Sequence, residues 1–326
     1  MPDPVTHHIF AKQVSQLLAS EINDSLSLAV FTRGALGPDP WSTLGFYGGK
    51  NKKYSVRSSF MHKTKAGEFL VCLAKNVKVD STYSAFSFLA GAVCHYCLDK
   101  TTHPYIICKG GYYDGTKETR SQQGGHALME RAIDSYFIRK TYNCKPWRFS
   151  LAREIMYLKT FPWELHSLID KVYKDVYGWD NSFKLLNRAL KNERLFYTLM
   201  QDPLGLFYRV TGFFAKQYQV YSYYNKDIDS GLLDYMNLKN EEWQHPFDSS
   251  VTSRASFPEL FDQAKKEAAK IITSLYNWIY KNEEIFLQNL LGNYNYSTGL
   301  DCDDARNDNK PECQPLNFNN KEKEYE

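Results

Sequence analysis

No stretch of apolar residues in the chain reaches the roughly 20 needed to cross a bilayer; the nearest, Phe86–Val93, is far too short. The opening segment, Met1-Pro2-Asp3-Pro4-Val5-Thr6-His7-His8, also lacks the basic and apolar regions of a secretory signal. A soluble or peripheral protein of the cytoplasm is therefore expected. An excess of charge of one sign is missing too. The 40 basic and 37 acidic residues leave +3, spread along the chain with nothing like the basic stripe of a nucleic-acid binder. Seven cysteines form an odd set with no repeating framework, and without an export signal they read as reduced. Strand-like alternation is scarce, and no internal repeat is found.

What is present is apolar and aromatic. Hydrophobic residues make up 43% of 326, with 24 Tyr and 20 Phe, enough to force a folded core. Apolar spacings of three and four predict helices over 5–30 with Thr6 as N-cap, over 65–77, and over 84–100, the last apolar on all sides and so buried. Further helices are expected over 126–140, 149–158, 162–177, 179–199, 205–224 and 258–291. The Gly- and Pro-rich segments 33–51 and 109–125 read as loops. The fold class expected is all-α, a multi-helix bundle. One helical domain would cover 1–292, with a chemistry-bearing half about 1–145 and a helical remainder 146–292; residues 293–326 read as a polar, disordered tail.

Six of the eight histidines lie before residue 127, and several stand beside carboxylates at helical spacing. His95 and Asp99 are four apart, which puts them on one helix face. His103 follows four residues later, where Pro104 predicts that the helix has just ended. His126 and Glu130 repeat the spacing, with Asp134 a turn further on. Imidazole nitrogens and carboxylate oxygens are zinc ligands, and Asp134 could orient a ligating histidine from behind it. Asp39 lies in the stiff turn Gly37-Pro38-Asp39-Pro40, His62 follows Met61, and His7 opens the first helix. A single His-x-x-x-Asp pair is ordinarily a core hydrogen bond or a surface ion pair. Asp99, however, would be stranded on an apolar helix, where an unpaired charge costs several kcal/mol and a metal would neutralise it. Cys94 and Cys97 read as small core residues, His8 as a surface residue, and His166 and His245 as structural.

Taken together, Met1-Pro2-Asp3 through Thr6-His7, Gly37-Pro38-Asp39, Met61-His62, His95-x-x-x-Asp99-x-x-x-His103-Pro104 and His126-x-x-x-Glu130 with Asp134 resemble the zinc-dependent phospholipase C family in order and spacing. The resemblance covers about residues 1–140. It implies a helical bundle around two to three zinc ions, with Asp39, His62, His95 and Asp99 serving one ion and His103, His126 and Glu130 a second. A third would take His7 and a bridge from Asp99. In secreted members that third ion is completed by a mature N-terminal tryptophan. No Trp stands near this N-terminus, so Pro2 or Asp3 would substitute or the third ion would be weak.

The activity implied is hydrolysis of a phospholipid or other phosphodiester by metal-activated water, with Asp39 aligning the water or acting as base and with peripheral membrane contact as a route to the substrate. Two other readings stay open. One is a nuclease or nucleotidase of the same fold, which would need stacking aromatics and a basic groove near the site, and no specific nucleic acid is evident. The other is a non-catalytic protein with structural zinc. Phosphohydrolases that depend on an adjacent His-Asp are excluded, because no such dipeptide occurs.

Overall fold

The computed structural model describes all residues except 1–2, 47–48, 215, 226–227, 229–232 and 317–326. In chain order the helices are α1 (Pro4–Ser15), α2 (Ser20–Asp24), α3 (Leu28–Gly34), α4 (Val56–Lys63), α5 (Ala66–Asp80), α6 (Tyr83–Gly110) and α7 (Gly125–Tyr142). They continue with α8 (Leu151–Glu154), α9 (His166–Tyr177), α10 (Ser182–Met200) and α11 (Leu206–Phe214); after a hairpin of β1 (Trp243–His245) and β2 (Asp248–Ser253) come α12 (Phe257–Tyr280) and α13 (Leu287–Leu291). The fold is all-α. The antiparallel hairpin, with Trp243 opposite Ser253, is the only sheet among the described residues.

The segment that is apolar on all sides becomes the axis of the molecule. From Ala85 to Leu98 every residue of α6 is buried, and α12, α3, α7, α5 and α1 pack around it. The crossing with α3 is backbone to backbone: Gly34 lies against Phe88 and Gly91, and a Cβ at Gly91 would strike the Phe31 carbonyl. α12 closes another side with an apolar stripe from Leu260 to Ile279, and its start is fixed by a capping box between Ser256 and Glu259.

Several boundaries depart from expectation, each for a local reason. The helix expected over 5–30 is three helices; at the second break Ser25 donates its hydroxyl to the Ile22 carbonyl and the Ser27 amide donates to the Ser87 hydroxyl, outside the helical ladder. Thr6 is not the N-cap; Asp134 accepts from the Val5 and Thr6 amides from across the fold. Pro104 does not end α6, which runs on to Gly110. The Lys100 carbonyl that Pro104 leaves without a helical donor is covered by Gly299, a residue whose lack of a side chain permits that approach. The helix expected over 149–158 shrinks to α8, 205–224 to α11 and a 3-10 turn, and 258–291 divides at Asn282, whose φ is +55°.

The expected disordered tail is corrected for residues 293–316. Tyr296 is only 2% exposed, its amide donates to the His62 carbonyl, and Gln314 and Leu316 donate to the carbonyls of Cys108 and Lys109. The rest of the tail, 317–326, lies outside the described residues.

Candidate metal centre

Five separate pieces of chain deliver the ligand candidates. α6 presents His95, Asp99 and His103 on one face, four residues apart each time. α1 brings His7 from one side, α4 brings His62, and α7 brings His126 and Glu130. Asp39 arrives on the turn after α3, where Gly37 has φ +50° and any Cβ would run into the His95 ring. The turn can therefore lie flat against the histidine it faces.

These side chains converge. Asp39, His62, His95 and Asp99 form one group, and His103, His126 and Glu130 another, with potential ligand atoms in each within 4.8 Å of one another. Asp99 is common ground. Its Oδ2 lies 3.1 Å from His95 Nε2, 3.5 Å from His62 Nε2 and 3.5 Å from His103 Nδ1, and its Oδ1 lies 3.3 Å from His7 Nε2. Asp39 meets His62 Nε2 at 3.2 Å and His7 Nε2 at 3.8 Å. In the second group His126 Nε2 is 2.8 Å from Glu130 Oε1, and His103 Nε2 is 3.8 Å from the same oxygen.

The imidazoles are held in one tautomer. Nδ1 of His62 donates to the Ser58 carbonyl at 2.7 Å, that of His95 to Ala35 at 3.1 Å, and that of His103 to Tyr296 at 3.1 Å. A carbonyl can only accept, so in these three rings Nδ1 carries a hydrogen and Nε2 is the nitrogen turned inward, the arrangement of a metal-binding histidine. His7 stacks on His95 with ring centroids 4.4 Å apart.

Without a cation, the buried carboxylates act on these same imidazoles. Burial alone would raise Asp99, but His95, His103 and His7 hold it well below the usual carboxylate range. Burial opposes charge on His62, yet the Asp39 and Asp99 carboxylates beside it push it up to about 9, so that without a cation its Nε2 holds a proton. Burial pushes His103 down to about 4. Nε2 of His7, His62 and His95, Oδ1 of Asp39 and both oxygens of Asp99 are buried without a hydrogen-bond partner. Each such atom costs on the order of 1–3 kcal/mol when left unsatisfied. Imidazole nitrogens and carboxylate oxygens gathered in this way fit zinc, and cations held among them would satisfy these atoms.

Asp134 does not touch a histidine. Its oxygens accept from the Val5 amide at 3.2 Å, the Thr6 amide at 2.8 Å, the Thr6 hydroxyl at 2.6 Å and the Tyr223 hydroxyl at 2.7 Å. It anchors the start of α1, and through the helix it places His7. Asp3 is likewise engaged elsewhere, by Arg131 Nη2 at 3.1 Å and the Tyr197 hydroxyl at 2.8 Å. Those contacts occupy both oxygens of the group expected to stand in at a third ion, and Pro2 lies outside the described residues. His8, expected at the surface, is buried, and burial pushes it down to about 3. Cys94 and Cys97 are buried in the core, their thiols raised by that burial, and neither joins a cluster.

Sequence reasoning missed Tyr296. Its backbone links His62 to His103, and its ring lies edge-on to both His62 and His95. Tyr294 and Tyr296, two aromatics in an otherwise polar segment, were the available signal. A pocket of about 140 Å³ reaches the centre from outside, lined by Asp39 and Glu130 within and by Phe46, Phe196, Tyr197 and Tyr221 further out.

Comparison with known proteins agrees with this donor set. The family model described as zinc dependent phospholipase C matches residues 6–183, a span that contains all eight ligand candidates. No curated protein and no solved structure matches the chain.

Proposed function

The chain belongs to the zinc-dependent phospholipase C family, and from that premise we propose that it is a phosphodiesterase acting on phospholipid, with Asp39, His62, His95 and Asp99 holding one zinc, His103, His126 and Glu130 a second, and His7 with Asp99 a third. When bound, zinc supplies Lewis acidity toward a phosphoryl oxygen and lowers the pKa of water. The observation that carries the reading is the set of buried, partnerless nitrogens and oxygens on three imidazoles and two carboxylates.

The remaining work falls to the chain's own groups. Asp39 is 13% exposed while Asp99 is wholly buried. Asp39 also lines the pocket, so it is the carboxylate that can accept a proton from an incoming water and turn that water toward phosphorus. The Pro38 and Pro40 flanks hold it still. The outer aromatics, Phe46, Phe196 and Tyr221, bound the space where the rest of the ester lies and exclude bulk water. A closed structural zinc site would have no such approach to its ligands. A lipid substrate also implies contact with a bilayer surface, and no described helix is long and apolar enough to cross one.

The test is metal analysis of the purified protein, paired with activity on phosphatidylcholine, a generic phosphodiester and single-stranded nucleic acid. Two or three zinc per chain with turnover of the lipid is the expected result. Zinc with no turnover of any of the three would favour a structural role, and turnover of the nucleic acid alone would favour a nuclease.

A further inference from the structure

Two surface features lie outside the residues that line the pocket leading to Asp39 and Glu130, and neither is used by the chemistry above. The first is charge. Between Asp39 and Glu68 the sequence holds no acidic residue but six cations, Lys50, Lys52, Lys53, Arg57, Lys63 and Lys65. Lys50, Lys52, Lys53 and Lys63 are exposed. Lys53, Arg57, Lys63 and Lys65 line a groove of about 740 Å³ together with Tyr54 and Trp179. Arg57 sits in an aromatic box, its guanidinium 4.4 Å from the Trp179 ring and 4.8 Å from those of Trp41 and Tyr54, and its Nη1 is buried without a hydrogen-bond partner among the described residues. Val56 and Phe60 stand exposed among these cations.

The second is apolar. α11 buries none of its residues, and Phe213 and Phe214 at its end are each 86% exposed. Leu204, Leu206 and Val210 are exposed beside them. Contiguous apolar surface of this kind on a folded chain marks something that covers it. Each feature is linked to the pocket rim through one neighbour. Phe46, which leads into the basic segment, stacks on Phe196 of α10 at 4.5 Å, and Tyr221, in the 3-10 turn that packs on α11, lies 6.3 Å from the same ring.

We propose that α11 and the basic segment 49–65 form one docking face for an anionic phospholipid bilayer, with the rings of Phe213 and Phe214 entering the acyl boundary and the lysines lying against lipid phosphates. The assignment rests on the phospholipase reading for its choice of lipid over other polyanions, and on the pairing of exposed rings with a cluster of cations, of which Lys65 alone meets a carboxylate among the described residues, Glu68 at 3.9 Å, for its choice of an anionic surface. A helix that is apolar outward and flanked by lysines partitions into the headgroup region, and clustered cations add attraction to anionic lipid that salt screens.

The experiment is co-sedimentation of the full chain with vesicles of phosphatidylcholine alone or with added phosphatidylserine, using wild type, a Phe213→Ser/Phe214→Ser variant and a Lys50→Glu/Lys52→Glu/Lys53→Glu variant. Wild type is expected to bind the serine-containing vesicles more tightly and to release them in high salt. The ring variant should bind more weakly by on the order of tenfold per ring, and the lysine variant by about fivefold per cation removed. Both should keep wild-type melting temperatures and full hydrolysis of a short-chain, monomeric ester, since neither touches the metal centre. Vesicle binding unchanged in both variants would overturn the proposal. So would a wild-type dimer that the ring variant dissolves, or tight single-stranded oligonucleotide binding, lost in the lysine variant, in a protein that ignores vesicles. Vesicle binding that follows the expected pattern in a protein inactive on every ester would leave the docking face standing and remove only the hydrolytic reading.

Discussion

His95 and His126 each stand one helical turn before a carboxylate, Asp99 and Glu130, yet the two pairs are held differently. His95 is fully buried; its Nδ1 is tied to the Ala35 carbonyl, and its Nε2 faces inward without a hydrogen-bond partner. His126 has 37% of its side chain exposed, and its Nε2 lies against Glu130 at 2.8 Å. The first pair is prepared for a cation by its surroundings. The second stands partly in solvent, with its imidazole in the closer contact, 2.8 Å against 3.1 Å for His95 and Asp99. Identical spacing in sequence thus yields a buried candidate group on the axis of α6 and a more exposed one at the start of α7, where a glycine-rich loop leads into the helix.

Asp99 is the residue on which that contrast turns, because it touches His7, His62 and His95 on one side and His103 on the other. Asp99→Asn should strip zinc from both groups and lower hydrolysis by on the order of 10³ or more, since metal stabilisation is worth several kcal/mol. Metal content measured on the purified variant checks it. Loss from the first group alone would show that the two are independent.

His126→Ala should have the next largest effect, the loss of one zinc with hydrolysis down by about a hundredfold or more. The buried group should keep its ion. A variant with wild-type zinc content would remove His126 from the site, and one with no zinc at all would end the distinction between a buried and a more exposed group.

The ligand candidates were legible in sequence because helical spacing fixes which side chains share a face, whatever the rest of the fold does. His95, Asp99 and His103 needed only the repeat of four, and so did His126 and Glu130. The all-α class followed from the same periodicity. What was not legible depends on contacts far apart in the chain. Pro104 reads as a helix end until Gly299 is seen covering the carbonyl it exposes. Asp134 reads as a partner for a histidine because it continues the face of His126 and Glu130, but the amides at the start of α1 claim it first. Tyr296 lies in a polar stretch whose order comes from bonds to His62 and His103, which no local pattern encodes. The basic run from Lys50 to Lys65 is invisible in a net charge of +3 because acidic residues elsewhere balance it.

Gly37→Ala is the mirror of the His126 change and should be milder. The alanine meets two penalties, a left-handed φ that costs about 1–2 kcal/mol with a side chain and a Cβ directed at the His95 ring. Displacing that ring should weaken zinc in the buried group by on the order of tenfold, as changes to a ligand's supporting contacts do, and leave the His126 group unaltered. Competition with a chelator of known affinity reads the difference. Equal weakening of both groups would mean that the turn carrying Asp39 supports the whole centre and not one half of it.

Asp134→Asn should have the smallest effect on zinc and a visible one on stability. The carboxylate offers only acceptors, and four donors, two from the backbone of α1 and the hydroxyls of Thr6 and Tyr223, already fill it. An amide of the same shape turns a donor toward one of them, at a cost of about 1–3 kcal/mol for the buried group left unpaired, which thermal unfolding would register as a lower Tm. The start of α1 would loosen, and with it His7, while His62 and His95 keep anchors of their own in Ser58 and Ala35. Zinc content should therefore fall by at most the one ion assigned to His7. A larger loss would mean that α1 holds the buried group together as a whole, and that its preorganisation comes from the N-terminal helix as much as from the carbonyls behind each imidazole.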